Sequence, residues 1–136
     1  MKTQYWLVKS EPDSYSWEKF QRDGHTAWTG VRNYQARIHL NAMRPGDAVV
    51  FYESMTTKAV VGFAEVTKAA FPDTTAEEPG LVAVELAAKK PLAHPVTLAQ
   101  IKAEPALAQS QLLRLNRLSV VSLTAAEFKT IVSLGR

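Results

Sequence analysis

The chain has no cysteine. Disulfides and thiolate metal centres are thereby excluded, and packing and hydrogen bonding must hold the fold. No apolar run approaches the roughly 18 residues that a membrane-spanning helix needs. The first residues pass straight into strand-like sequence, so no signal peptide, no membrane partner and a cytoplasmic location are expected. The three histidines, His25, His39 and His94, match no metal-ligand spacing, and each is expected on the surface or in a loop. There is no Gly-x-Ser-x-Gly elbow, phosphate-binding glycine loop or dinucleotide fingerprint. Nothing assembles a nucleophile, a base and an oxyanion stabiliser. No catalytic residue, cofactor or metal is assigned.

Carboxylates are also missing locally. Residues 24–46 contain no Asp or Glu but hold Arg32, Arg37 and Arg44, and residues 105–126 contain none but hold Arg114 and Arg117. The net charge of +3 says less than this distribution. Two acid-free basic stretches make an anion-binding face if the fold joins them, and an unevenly charged solvated surface if it does not.

What is present fits one domain over all 136 residues, with 46% hydrophobic content for a sizeable core. Residues 5–8 read as a strand stopped before Pro12. Ser16 is placed to cap a short helix carrying Trp17 and Phe20, with Gly24 past its end. Residues 27–29 are briefly extended, and Asn33 caps a second helix to about Met43, with Tyr34 packing on it. A turn at Pro45, Gly46 and Asp47 leads to a buried-type strand over residues 48–52. Further strands are predicted at 60–68, 81–86 and 118–121. Asp73, Glu77 and Glu78 fall in a turn-rich connection and are expected to be solvated. Thr97 with Gln100, and Thr124 with Glu127, have capping-box spacing. The last helix is expected to bury Ala125, Phe128, Ile131 and Val132, and Trp6, Trp17, Phe51 and Phe63 are expected in the core. Five or six short strands with few helices between them favour an α+β chain with a small, curved, partly closed sheet over a doubly wound one.

Candidate recognition residues cluster at predicted strand ends. Trp28 and Tyr52 are aromatic, Ser10, Asn33, Ser54 and Ser119 are small and polar, and Arg32 and Arg117 lie nearby. A flat heterocycle binds well against aromatic faces while fixed donors and acceptors read its edge. Glu11, pinned by Pro12, is either such an acceptor or a turn cap. For Trp28 the pattern leaves core and stacking platform even.

The stretches YWLVKSEPDSYSW (5–17), WTGVRNYQAR (28–37), MRPGDAVVFYES (43–54), VVGFAEVTKAAFPD (60–73), PVTLAQIKA (95–103) and LLRLNRLSV (112–120) resemble the EVE domain family of the PUA-like superfamily. The resemblance implies a PUA-like curved, partly closed mixed β-barrel with peripheral helices. It implies a monomeric, non-enzymatic reader that binds nucleic acid, DNA ahead of RNA, through a flipped modified cytosine such as 5-methylcytosine or its oxidised forms. The related YTH domains read methylated adenosine in RNA. An RNA-modification reader and a nucleoside sensor are the alternatives. By the same resemblance Trp28 is a stacking face and Ser10, Glu11 and Asn33 read the base edge. Tyr52, Glu53 and Ser54 close one side of the pocket, and Leu118 and Ser119 the other with Arg117. Lys9, Arg32, Arg37 and Arg117 hold phosphates. Two positions depart from the family pattern: Asn116, where a serine-containing stretch is frequent, and Glu53, where histidine is common.

Overall fold

Trp6, Leu7 and Val8 are consecutive and all buried, so the first strand, β1 (Tyr5–Ser10), is covered on both faces and lies inside the sheet. The computed structural model describes residues 3–115 and 117–136. Next come α1 (Trp17–Asp23), β2 (His25–Trp28), α2 (Tyr34–Ala42), β3 (Ala48–Glu53), β4 (Ala59–Pro72) and β5 (Val82–Thr97). The chain continues through α3 (Leu98–Ala103), a 3-10 turn (Pro105–Leu107), α4 (Gln111–Arg114), β6 (Val120–Leu123) and α5 (Ala125–Leu134).

The strands form one mixed sheet in the order β2-β5-β4-β3-β1-β6, in which only β1 and β3 run parallel. The sheet is curled but not closed, and β2 and β6 are its edges. Two strands separate β2 from β3, roughly 14 Å on a flat sheet at about 4.8 Å per strand. The Trp28 and Phe51 ring centroids are nevertheless 5.8 Å apart, because both side chains point into the concavity. Register shifts at four places between β4 and β5 supply the bend, since each bulge sharpens the local twist.

Helix α1 closes on this concavity. Ser16 caps it by accepting from the Lys19 N–H, and Trp17 and Phe20 stand at 5.4 and 5.5 Å from Phe51. Gly62 on β4 is required by that packing, for a Cβ there would lie 2.2 Å from Cζ2 of Trp17. Asp47 ties the opposite end: it accepts from the Gln4 N–H, the Trp6 indole N–H and the Arg44 N–H at 2.9–3.0 Å. Both capping boxes form as predicted.

Several expectations are corrected. Strand β5 runs far beyond residue 86 despite Pro91 and Pro95, because the irregular pairing with β4 tolerates a residue without an N–H. Strand β6 begins at Val120, and the one-turn helix α4 was not anticipated. His39 is buried, its ring 5.5 Å from that of Trp6. Burial pushes its imidazole below the ordinary range, against the pull of the Gln111 side chain. Tyr34 is 71% exposed, with the Arg37 guanidinium 5.6 Å from its ring. Phe63 is only half-buried under the Lys90 ammonium, and Ala125 faces solvent while Phe128 and Val132 are half-buried.

Candidate functional site

A cleft of about 430 Å³ opens at the seam of the unclosed edges. One wall is β2 and its continuation, from Thr26 to Arg32; the other is Lys9, Ser10 and Glu11 at the end of β1, with Ser119 on the approach to β6. Ser14 and Tyr15 close the end between them. The Lys9 N–H donates to the Ser119 carbonyl at 2.8 Å, which extends the β1–β6 pairing to the rim.

Hydrogen bonds hold the backbone and the Ser10 hydroxyl here. The Ser10 hydroxyl donates to the Tyr15 carbonyl at 2.6 Å, leaving its oxygen as an acceptor. The Glu11 carbonyl accepts from the Ser14 and Tyr15 N–H groups, so the turn is rigid while the carboxylate is exposed. Among the described residues that carboxylate has no ion-pair or hydrogen-bond partner. Burial pushes the Lys9 ammonium below its ordinary range. The Arg32 guanidinium is 3.6 Å from Glu78, but at 72% and 63% exposure the pair is weak and the cation remains available.

Trp28 is neither sealed nor free-standing. As a residue it is 9% exposed, its ring stands edge-on to Phe51 and Tyr15, and it is among the residues that line the cleft. The pattern leaves core and stacking platform even for Trp28; the structure packs its ring in the core at the border of the cleft. Behind it, Gly30 takes a φ of +75°, and its N–H donates to Asp73 Oδ2 at 2.8 Å. Asp73, expected to be solvated, is buried and also accepts from the N–H and hydroxyl of Thr75. The Thr75 hydroxyl, then the Gly30 N–H, hold its carboxyl below the usual range.

The remaining candidates lie elsewhere. Asn33, Arg117 and Leu118 line a second cleft of about 300 Å³ with Gln35 and Leu115, and Asn33 Oδ1 caps α2 through the Ala36 N–H. Tyr52 is 5% exposed and faces neither cleft; burial pushes its phenol up. Glu53 Oε2 accepts from the Trp17 N–H at 2.7 Å, so this carboxylate caps α1 instead of facing a ligand. Ser54 donates through its N–H and hydroxyl to the Ser10 carbonyl, positioning β1 from behind. Arg37 reaches the Gly80 carbonyl and lies 5.6 Å from the Tyr34 ring, away from the cleft. Asn116 lies outside the described residues.

The sequence reading passes over Tyr15 and places Asp73 in solvent. Tyr15 sits in a turn with no strand or helix periodicity to orient it. Asp73 carried a signal: an Asp two residues before Thr75 fits an Asx turn, which points the carboxylate inward. Among the described residues no three His, Cys, Asp or Glu side chains group to hold a metal.

A curled, unclosed mixed sheet with helices around it and a cleft at its seam is a PUA-like α+β fold. The model of the family described as EVE domain matches residues 4–134, and the chain belongs to that family. Thymocyte nuclear protein 1 of Gallus gallus is 42% identical over 83 residues, covering 52% of this chain and 34% of that protein. This chain thus spans about a third of the length of such curated relatives. A Rhodopseudomonas palustris protein solved by NMR superposes with a TM-score of 0.92 at 47% identity, covering 98% of this chain and 93% of that one. Human THYN1 in complex with DNA containing 5-methylcytosine superposes with a TM-score of 0.92 at 28% identity, covering 98% of both chains.

Proposed function

We propose that this domain binds DNA without altering it and takes one extruded, modified cytosine into the cleft beside Trp28. The observation that carries the reading is the cleft itself, which Trp28 and Tyr15 line together with the hydrogen-bonding residues Ser10 and Glu11. The human relative crystallised with 5-methylcytosine DNA supports the ligand class. In this reading the base lies against Trp28 and Tyr15. The Glu11 carboxylate accepts from the cytosine amino group, a pairing that suits this base, and the Ser10 oxygen accepts a second donor. Lys9 and Arg32 meet the flanking phosphates, which position the strand without reading it.

Extrusion costs a few kcal/mol, and base–aromatic stacking returns about 1–3 kcal/mol. Net affinity is therefore modest and falls with salt. The test is a binding series on matched oligonucleotides that differ in the modification of one cytosine, run with wild type, Trp28→Phe and Trp28→Ala. Both variants bind more weakly in this reading, with circular dichroism confirming the fold. A folded Trp28→Ala protein with undiminished binding refutes it.

A further inference from the structure

The second cleft is distinctive for what its walls leave out. All five lining residues come from the two acid-free stretches: Asn33 and Gln35 from residues 24–46, Leu115, Arg117 and Leu118 from residues 105–126. The fold has brought together the two basic segments that the sequence kept clear of carboxylates. Leu118 is buried and gives an apolar floor, while Leu115 is 40% exposed at the edge. Among the described residues Arg117 has no ion-pair partner. Asn33 engages its carbonyl oxygen in capping α2, which leaves its amide N–H₂ as a donor. The site thus offers donors, a cation and an apolar patch, and no carboxylate.

Its position adds direction. Arg32 lines the first cleft and Asn33 the second; Ser119 lines the first and Leu118 the second. On both sides the walls are continuous over one Cα step of about 3.8 Å.

We propose that this second cleft is a subsite for the nucleotide adjacent to the extruded one, its phosphate on Arg117 and its sugar on Leu118 and Leu115. The inference rests on the base-pocket reading, which the first cleft carries separately. Here the unit recognised is a phosphodiester-linked neighbour, so the domain prefers an oligonucleotide to the free nucleoside.

Gln35→Glu is the sharpest probe. It puts one carboxylate into the acid-free cleft, in the first turn of α2 where negative charge favours the helix, so the fold is retained. Amide chemical shifts are followed by NMR during titration with 5-methyldeoxycytidine and with a single-stranded pentanucleotide carrying it centrally. In wild type the nucleoside is expected to shift Ser10 and Trp28, and the pentanucleotide to shift Gln35 and Leu118 as well. Gln35→Glu and Arg117→Gln each weaken the pentanucleotide by about fivefold or more and leave the nucleoside unchanged. Arg117→Gln also lowers the slope of log affinity against log salt by about 0.7. Equal effects of the variants on both ligands, or none on either, overturn the subsite. The base pocket is judged separately, by whether Trp28→Phe weakens the nucleoside.

Discussion

Replacing Asp73 by Asn tests how the cleft wall is held. The two carboxylate oxygens accept from the Gly30 N–H at 2.8 Å, the Thr75 N–H at 2.9 Å and the Thr75 hydroxyl. An Asn side chain has one acceptor oxygen, so whichever way the amide turns, one backbone N–H meets an N–H₂ group. A hydrogen bond to a charged group contributes about 1.5–3 kcal/mol. Gly30 and Thr75 are exposed, so water replaces part of the loss and the net cost is about 1–2 kcal/mol. For a chain of this size that is a drop of about 5 °C in Tm. The pH dependence has a definite sign. The folded carboxyl titrates below its ordinary value of 3.8, so as pH falls the unfolded chain takes up the proton first. The contribution is complete above the ordinary value and is lost as pH falls through the folded one. Urea unfolding at pH 7 should separate wild type from Asp73→Asn, and the gap should narrow only in acid below the ordinary carboxylate range. Equal stability at pH 7 refutes the tether. So does a gap that stays constant through acid.

The other predictions follow from single contacts. Gly62→Ala drives a methyl into the Trp17 indole, and a loss of about 1–3 kcal/mol or more is expected in the urea midpoint; an unchanged midpoint contradicts the packing. Glu53→Ala leaves the Ser16 cap but removes the acceptor of the Trp17 N–H in the first turn of α1 and should cost about 1–2 kcal/mol, while oligonucleotide affinity per folded molecule stays constant, because the carboxylate faces Trp17. His39 titrates below 6.5 because it is buried, so its neutral form stabilises the fold above that value and the contribution is lost as pH falls toward the folded-state value. An NMR titration of its ring with a midpoint at or above 6.5 would exclude this.

How far the sequence reveals this molecule depends on the range of the interactions. Strand β1, the caps at Ser16, Asn33, Thr97 and Thr124 and the turn before β3 are local, and their residue types specify them. The length of β5 is not local: it depends on bulged pairing that admits two prolines. In the site, Ser10, Glu11, Trp28, Arg32 and Ser119 are legible as aromatic and polar residues at strand ends, and the fold brings them to one cleft. Glu53 and Ser54 carry the same chemistry but turn it toward the backbone of α1 and β1, which only the parallel pairing of β1 with β3 determines. The division of Asn33 and Leu118 from the first cleft is likewise tertiary, since each is one residue away from a neighbour that faces it.

The same geometry bears on how a cleft of this kind separates cytosine derivatives from thymine. Burying one methyl contributes only about 0.8 kcal/mol, about a fourfold preference at 1.4 kcal/mol per decade. Thymine carries the same methyl at the same ring position, so apolar contact with Trp28 cannot tell it from 5-methylcytosine. The two differ at the neighbouring ring atom, amino donor in one and carbonyl acceptor in the other. Glu11 is an acceptor on a turn fixed by two backbone hydrogen bonds. Set against that ring atom as proposed above, it would attract the amino group and repel the carbonyl, and the unpaired-group penalty would add to the lost bond. In a reader built this way the indole sets how tightly a flat ring is held, and the carboxylate sets which ring it is.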